Sequence, residues 1–195
     1  MAGRPKIFDP RKVLQKAKDV FWKKGYEATS TADLLEVMGI GKGSFYQEFE
    51  GGKREVFEKA IDLFADAVGS KAEARLKASK DPVEEIRNIF REIALVPAEI
   101  HLRGCFVGNT VVEMSCVDQG LEDRAVNMLK RTEQLFYMGL VRAREMGQLD
   151  SDKDPDVLAK CLVTLWNGIN VTRRMYPDKE ILAAVIEKQL AILDK

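Results

Sequence analysis

The chain has 195 residues, of which 46% are hydrophobic and 32% are charged. This length allows one domain or two small ones, and the apolar fraction can bury a core, which excludes a disordered protein. No stretch of about 18 uncharged apolar residues occurs, and the first residues, MAGRPK, contain no apolar signal region. We therefore expect a soluble, cytoplasmic protein without a membrane segment.

The formal net charge is zero, but the charges are unevenly distributed along the chain. Residues 1–55 contain 11 Lys and Arg against 8 Asp and Glu, whereas the remaining residues contain 20 against 23. A basic end joined to an acidic body suits phosphate binding, because attraction is then confined to one surface. A solvated basic face on the first helix would give the same counts, so charge alone does not decide.

The first three predicted elements are short helices. Asp9-Pro10 supplies an N-cap and a first-turn proline, and the first helix is predicted to end at Gly25. Residues 30–49 then predict two short helices joined by a turn in which Gly39 adopts a positive φ. This pattern is a helix-turn-helix, whose second helix is built to enter a DNA major groove. A structural hairpin of two helices would show the same spacing.

The remaining residues predict six further helices. Asp81-Pro82, Asp154-Pro155 and Pro177 mark three of their starts, and one helix is expected over about residues 103–116. The expected fold class is therefore all-α, with about nine helices. We expect a helix-turn-helix domain with a basic arm over residues 1–52, and a second helical domain over residues 53–195.

The region around the helix-turn-helix resembles the N-terminal domain of the TetR/AcrR family of transcriptional regulators over roughly residues 7–60. The resemblance is carried by Gly25-Tyr26, Thr29 to Leu34, Gly39-Ile40, residues 42–46, Phe49 and Lys53. It implies a C-terminal helical domain that binds an effector and dimerises. After Phe49 the chain has one residue more than the family usually has. The role of Lys53 as a phosphate contact therefore stays open, with Arg54 as its competitor.

The candidate DNA contacts fall in four places along the first 53 residues. An N-terminal arm suits the minor groove, or is a disordered terminus, and hydroxyls before the second helix either cap it or contact phosphate. In the recognition helix, the resemblance implies phosphate and base-edge contacts, and Gln47 is the best base reader because its amide can pair with adenine. The candidates are Arg4, Lys6, Thr29, Thr31, Lys42, Gly43, Ser44, Tyr46, Gln47 and Lys53.

The resemblance also implies a ligand pocket in the second domain. Its candidate residues are aromatic side chains with a few polar groups, each of which could equally be plain core. They are Cys105, Phe106, Asn109, Glu113, Phe136, Tyr137 and Trp166.

Cys105 is the sharper hypothesis within that set. It lies at a predicted helix start beside Arg103 and His101, and cations and helix N–H groups stabilise a thiolate. Reaction with an oxidant or electrophile would then switch DNA affinity, whereas the alternative is an inert core cysteine. Cys116 and Cys161 are predicted to be core, and no disulfide framework is expected. His101 and Cys105 alone do not make a zinc site, so neither a metal nor a cofactor is expected.

The last two predicted helices are more apolar than a single inward stripe requires, which favours contact with a second copy of the chain. The resemblance implies a four-helix dimer interface there. A dimer would place two reading heads on a palindromic operator. The candidate interface residues are Leu162, Leu165, Trp166, Ile169, Val185 and Leu190.

Together these features predict a dimeric DNA-binding transcriptional regulator, acting as a repressor released from a palindromic operator by a small-molecule ligand or by thiol modification. The alternative is an all-helical interaction protein without a DNA role. An enzyme is expected least, because the single histidine, His101, accompanies no Ser or Cys triad motif and no Gly-rich phosphate loop follows a strand.

Overall fold

The computed structural model describes residues 8–176 and 178–194, apart from the side chain of Ala98. These residues form ten α-helices and no strand, which confirms the predicted all-α class. In chain order the helices are α1 (Pro10–Lys24), α2 (Thr31–Met38), α3 (Lys42–Glu48), α4 (Gly52–Ala78), α5 (Pro82–Leu95), α6 (Ala98–Arg103), α7 (Phe106–Met114), α8 (Gln119–Glu145), α9 (Pro155–Thr172) and α10 (Lys179–Leu190).

The helix predicted over about residues 103–116 is shorter in the structure, and the short α6 before it was not predicted. Gly104 separates α6 from α7 with a φ of +70°, a conformation that L side chains rarely adopt. Cys105 then serves as the N-cap of α7. The sequence signal that ends α6 is therefore a single glycine between Arg103 and Cys105.

Side-chain caps start the helices where acidic residues precede them. Asp9 accepts hydrogen bonds from the amides of Arg11 and Lys12, and Asp81 and Asp154 cap α5 and α9 in the same manner. Pro177 lies outside the described residues. The last helix begins at Lys179, with Asp178 as its N-cap.

Helices α1, α2 and α3 form a small head around the start of α4. Ser30 and Asp33 make a reciprocal capping box at the start of α2, with bonds of 3.1 Å and 2.9 Å between side chain and amide. Gly39 ends α2 in the left-handed conformation, as the sequence predicts. Phe45 and Phe49 are buried and pack α3 against the rest of the head.

Two hydrophobic cores lie along the molecule. The proximal core joins the head to the first half of α4, to α7 and to the first half of α8. Its buried residues are Val13, Ala17, Phe21, Leu34, Met38, Phe45, Phe49, Val56, Phe57, Ala60, Ile61, Cys105, Phe106, Val107, Met114, Leu121, Ala125 and Met128.

The distal core is formed by the end of α4, by α5, by the second half of α8 and by α9 and α10. Its buried residues are Leu76, Val83, Ile86, Phe90, Ile93, Ala94, Phe136, Leu140, Ala143, Leu149, Ala159, Leu162, Ile169, Leu182, Ile186, Leu190 and Leu193. None of the helices in the described part of the chain combines the length and apolar character that a membrane crossing demands.

Candidate functional site

The outer face of α3 presents polar side chains to solvent while its inner face is held by the two phenylalanines. Tyr46 exposes 43% of its surface, although its ring also contacts Phe45 edge to face at 5.1 Å. Ser44 is half-buried, and the other predicted contacts on this helix are exposed: Lys42, Gly43 and Gln47. The arrangement is a rigid helix with a solvent-facing row of hydrogen-bonding groups.

The three hydroxyl residues at the start of α2 have different roles in the structure. Thr29 is fully buried, and its hydroxyl donates to the carbonyl of Gly25 at 2.6 Å. Its predicted phosphate contact is therefore contradicted, because the hydroxyl closes the turn between α1 and α2. Ser30 supplies the cap, and Thr31 is half-buried at the first position of α2. Arg4 and Lys6 lie outside the described residues.

Lys53 and Arg54 begin α4, and only one of them is engaged by carboxylates in the structure. Arg54 donates to both carboxylate oxygens of Asp118 and pairs with Glu58 at 3.1 Å. This contact holds the pKa of Asp118 below its usual value. The Lys53 ammonium instead lies 4.3 Å from the centre of the Tyr26 ring. Lys53 is thus the cation of this pair that remains suited to a phosphate.

A cavity of about 320 Å³ lies in the body of the protein, between α4 and α8. Its walls come from both cores: Phe64, Cys105, Val107 and Met128 on the proximal side, and Ile89, Leu135, Phe136 and Trp166 on the distal side. The rim carries the exposed pair Asp66 and Arg131, whose charged atoms are 3.9 Å apart. The cavity is therefore an apolar chamber at the border between the two cores.

Three of the seven predicted pocket residues line this cavity, namely Cys105, Phe136 and Trp166. The other four lie elsewhere. Phe106 packs within the proximal core, Asn109 donates to the carbonyl of Arg103 at 2.8 Å, and the ring of Tyr137 is partly exposed on α8.

Glu113, the fourth, contacts the head instead of the cavity. Its carboxylate accepts hydrogen bonds from the amides of Tyr26 at 3.0 Å and Glu27 at 2.9 Å. The prediction of Glu113 as a ligand contact is therefore contradicted, because both oxygens are used by the turn after α1.

The surroundings of Cys105 differ from those that the sequence predicts. Arg103 pairs with Glu99 at 2.5 Å and lies over the Trp22 ring, and the His101 ring shares a hydrogen bond with the carbonyl of Arg173. Cys105 itself is buried as the cap of α7, and its sulfur accepts from the Gly108 amide at 3.4 Å.

A buried cation near Cys105 was missed by the sequence reasoning. Arg173 is only 4% exposed, and its Nε finds no hydrogen-bond partner among the described residues. One terminal nitrogen donates to the Ile100 carbonyl at 3.2 Å. Burial lowers the pKa of Arg173, and negative charge on Cys105 opposes that shift.

The predicted dimer residues belong largely to the subunit's own core. Leu162, Ile169 and Leu190 are buried in the distal core, so they cannot contact a second copy as predicted. Trp166 packs on Phe90 with ring centres 5.7 Å apart and also lines the cavity, and Leu165 and Val185 are half-buried.

A different row of α9 residues faces solvent, and we call it the α9 stripe. Its members recur at alternating spacings of four and three and are Val157, Cys161, Thr164, Gly168, Val171 and Met175, the last being just past the helix end. Val171 and Met175 are 60% and 69% exposed. This heptad spacing was readable in the sequence, and it is typical of a helix-to-helix seam.

Cys116 and Cys161 were predicted to be core, and both are exposed. Cys116 sits in the loop between α7 and α8 with a φ of +62°. Cys161 belongs to the α9 stripe. Three free thiols with different exposure are therefore present, and only Cys105 of the three lines the cavity.

Comparison with known proteins agrees with this geometry. Residues 13–60 match the family described as bacterial regulatory proteins, tetR family, and residues 82–188 match the tetracyclin repressor-like C-terminal domain. The chain is 31% identical over 194 residues to YezE of Bacillus subtilis (strain 168), an uncharacterized HTH-type transcriptional regulator, with 98% of this chain and 100% of that protein covered.

Two further similar proteins are a repressor and a regulator whose structure contains operator DNA. The transcriptional repressor ComR of Escherichia coli (strain K12) is 34% identical over 174 residues, covering 88% of this chain and 82% of ComR. A cysteine mutant of the TetR family regulator CifR, solved with a 26-base-pair operator DNA, has a TM-score of 0.81 at 29% identity, over 96% of this chain and 98% of that one. The chain therefore belongs to the TetR family of DNA-binding transcriptional regulators.

Proposed function

We propose that this regulator is a cytoplasmic, dimeric repressor that leaves a palindromic operator when its cavity is filled or its pocket thiol is modified. In this proposal residues 1–52 read DNA, and residues 53–195 sense the effector and dimerise. One observation carries it: an exposed polar face on α3 coexists with a separate apolar cavity whose walls come from both cores. A reading surface apart from a ligand chamber is what regulation by an effector requires.

The proposed DNA contacts are Gln47 for base reading, and Lys42, Tyr46 and Lys53 for phosphates, with Ser44 and Thr31 beside them. Gln47 is exposed on α3, and a planar amide there matches the adenine edge in the major groove. A Cβ at Gly43 would meet no other atom of the subunit within 4 Å, so internal packing does not require glycine there, and its proposed role is to let the helix approach DNA closely. Arg4 and Lys6 are proposed to follow the adjacent minor groove.

The DNA-reading proposal is tested with an operator obtained by sequencing genomic fragments that the purified protein selects. Gln47→Ala is expected to lose more affinity for the operator than for random DNA. Lys42→Ala and Lys53→Ala are expected to weaken binding to all sequences and to lower the salt slope by about 1 each. The matched control is Lys130→Ala, an exposed lysine on α8. Equal losses on both DNAs for Gln47→Ala would refute its role as a base reader.

The proposed dimer is formed through the α9 stripe, and Ile181 at the start of α10 is a further candidate. Ile181 is 52% exposed, so it is available for contact with a second copy. Burial of such side chains against a second copy removes apolar surface from water. ComR bears the name of a repressor, and the CifR structure contains operator DNA, which supports the proposed sign and mode of action.

The proposed sensor is the cavity together with Cys105. An effector for this chamber is a mainly apolar small molecule, because its inner walls are aromatic and aliphatic. Cys105 lines this cavity, so a molecule that fills it contacts the thiol. An apolar electrophile that enters the cavity would therefore react there.

The sensor is tested with N-ethylmaleimide, and the two exposed cysteines must first be removed. In the Cys116→Ser/Cys161→Ser protein, alkylation is expected to lower operator affinity by roughly tenfold or more. Adding Cys105→Ser to the same protein should abolish that response. Unchanged operator affinity after complete alkylation of Cys105, verified by mass spectrometry, would leave this residue as core.

A further inference from the structure

The Glu113 carboxylate forms an unusual connection between the body of the protein and its head. Both of its oxygens accept backbone N–H groups of the turn after α1, from Tyr26 and from Glu27. Hydrogen bonds to an ionised carboxylate are roughly twice as strong as those between neutral groups. A single side chain of α7 thus holds the backbone that leads from α1 into α2.

The turn is shaped to receive this carboxylate. Gly25 has a φ of +87°, and a Cβ at this position would lie 2.8 Å from one Glu113 oxygen and 3.0 Å from the other. An alanine would therefore collide with the carboxylate as well as strain the backbone. Thr29 closes the other side of the turn through its bond to the Gly25 carbonyl. The Glu113 site is built from backbone groups and depends on the absence of a side chain.

The opposite end of the same helix lies at the cavity. Cys105 is the cap of α7, and Cys105 and Val107 both line the cavity. A helix rises about 1.5 Å per residue, so Glu113 lies roughly 12 Å further along the axis than Cys105. Phe106 anchors the start of α7 against the rings of Phe57 and Phe64. The same helix therefore contacts the cavity at one end and the turn in the head at the other.

A second connection exists between the head side and α8, where Arg54 at the start of α4 binds Asp118. Both of these side chains are partly exposed. Cys105 is the N-cap of α7, whereas Arg54 belongs to α4 and Asp118 is the N-cap of α8. Helix α7 is a separate and shorter path, because the thiol lies at one of its ends and the Glu113 carboxylate near the other.

We propose that Glu113 is the positioning residue that couples the cavity to the reading head, by fixing the turn between α1 and α2 to α7. The inference deepens the proposed function and rests on it for the source of the signal. With the carboxylate in place, the head has the orientation that binds the operator. When an adduct on Cys105 displaces α7, the two amides are released and the head loses that orientation.

The test uses Glu113→Gln in the Cys116→Ser/Cys161→Ser protein, with Glu145→Gln as the matched control. Glu145 is an exposed carboxylate at the end of α8. Glutamine keeps the shape but presents an NH₂ group to one of the two amides, which cannot accept it. We expect operator affinity to fall roughly fivefold, with an unchanged salt slope, and the amides of Tyr26 and Glu27 to exchange hydrogen faster.

The coupling itself is measured by the response to N-ethylmaleimide. Alkylation should speed exchange at Tyr26 and Glu27 in the parent protein, and it should change operator affinity less in Glu113→Gln than in the parent. A purely stabilising residue would lower the melting temperature without reducing that response. If Glu113→Gln does not fold, Glu113→Asp retains the charge but is too short to reach both amides, and it is expected to give the same pattern.

The outcomes separate this inference from the proposed sensor. Parent protein whose operator affinity ignores alkylation would refute the thiol sensor, while lower affinity and faster amide exchange in Glu113→Gln would still support the positioning role. Wild-type affinity together with wild-type exchange at Tyr26 and Glu27 would overturn the role of Glu113. An alkylation response of full size in Glu113→Gln would overturn the coupling.

Discussion

The proximal and distal cores are built from different side chains and serve different neighbours. The proximal core is aromatic where the head meets the body, with Phe21, Trp22, Tyr26, Phe57, Phe64 and Phe106 in mutual ring contact. The distal core is mainly aliphatic and lies behind the α9 stripe. The head therefore shares its core with α7 and α8, and it is not a separately packed unit.

This difference explains how a ligand in the body could influence α3. The cavity is lined by both cores, so filling it changes how one packing unit sits against the other. Packed interiors resist continuous deformation, and a small change at such a border tends to produce a discrete shift. Four predictions use this comparison, beginning with the largest effect.

Removing one aromatic ring from either core should destabilise the protein, but only removal from the proximal core should also reduce operator affinity. Phe106→Ala is expected to lower the free energy of unfolding by about 3–5 kcal/mol, since Phe106 is buried against three rings. Phe90→Ala in the distal core should cost a similar amount. Urea unfolding measures both, and only Phe106→Ala should reduce operator affinity in the folded protein. Equal losses of affinity would contradict the division between cores.

The α9 stripe can be blocked without disturbing the subunit. A Cβ at Gly168 would meet nothing within 4 Å, so Gly168→Leu fits the single chain. In a dimer it would separate the two stripes, and we expect the dimer dissociation constant to rise at least roughly 30-fold, which corresponds to about 2 kcal/mol of association free energy. Sedimentation equilibrium measures it, with Lys130→Leu as a control for an added surface leucine. A Gly168→Leu protein that dimerises normally would move the interface elsewhere.

Helix caps give a smaller comparison between the two regions. Ser30→Ala removes the capping box of α2 and is expected to cost about 1 kcal/mol of unfolding free energy. Asp154→Ala removes the cap of α9 and should cost a similar amount. Because α2 supports the reading helix, only Ser30→Ala should also weaken operator binding. Gel shifts at fixed salt separate the two effects, and a matching loss in Asp154→Ala would argue against local support.

The smallest effect concerns acid stability at the contact between α4 and α8. Arg54 holds the pKa of Asp118 below its usual value, so this pair stabilises the folded protein above the unfolded pKa of about 3.9. That contribution is lost as the pH falls through the lower folded pKa. Asp118→Asn keeps an N-cap but not the charge, and its stability should fall less steeply below about pH 4. The measurement is the free energy of unfolding against pH for both proteins, and parallel curves would show that the Arg54–Asp118 pair contributes little to acid stability.

The sequence was sufficient for the parts of the fold that depend on local signals. Asp-Pro pairs predicted the starts of α1, α5 and α9, and Gly39 predicted the end of α2. The exposed row on α3 also follows from periodicity once Phe45 and Phe49 are assigned to the core. These features depend on neighbours within a turn or two of the same helix.

The errors concern contacts between residues far apart in the chain. Glu113 was predicted to face a ligand because nothing local reveals that it binds the turn at Tyr26, 87 positions away. Thr29 is an exception, because its predicted phosphate contact is ruled out by its burial and by the nearby Gly25 carbonyl to which its hydroxyl donates. The apolar residues of α9 were recognised correctly. Which of them face the subunit's own core and which face a second copy depends on the neighbouring helices that bury Leu162 and Ile169.

The small side chains in the α9 stripe bear on which subunits can assemble. Thr164 and Gly168 lie at its middle, between the larger Val157 and Met175 near its ends. Two identical stripes related by a twofold axis would interlock at close range, whereas a sister regulator with a bulky residue at the centre would be held apart. We expect the small residues at the centre of the stripe to disfavour heterodimers with related regulators. Each palindromic operator would then be controlled by one regulator and its effector.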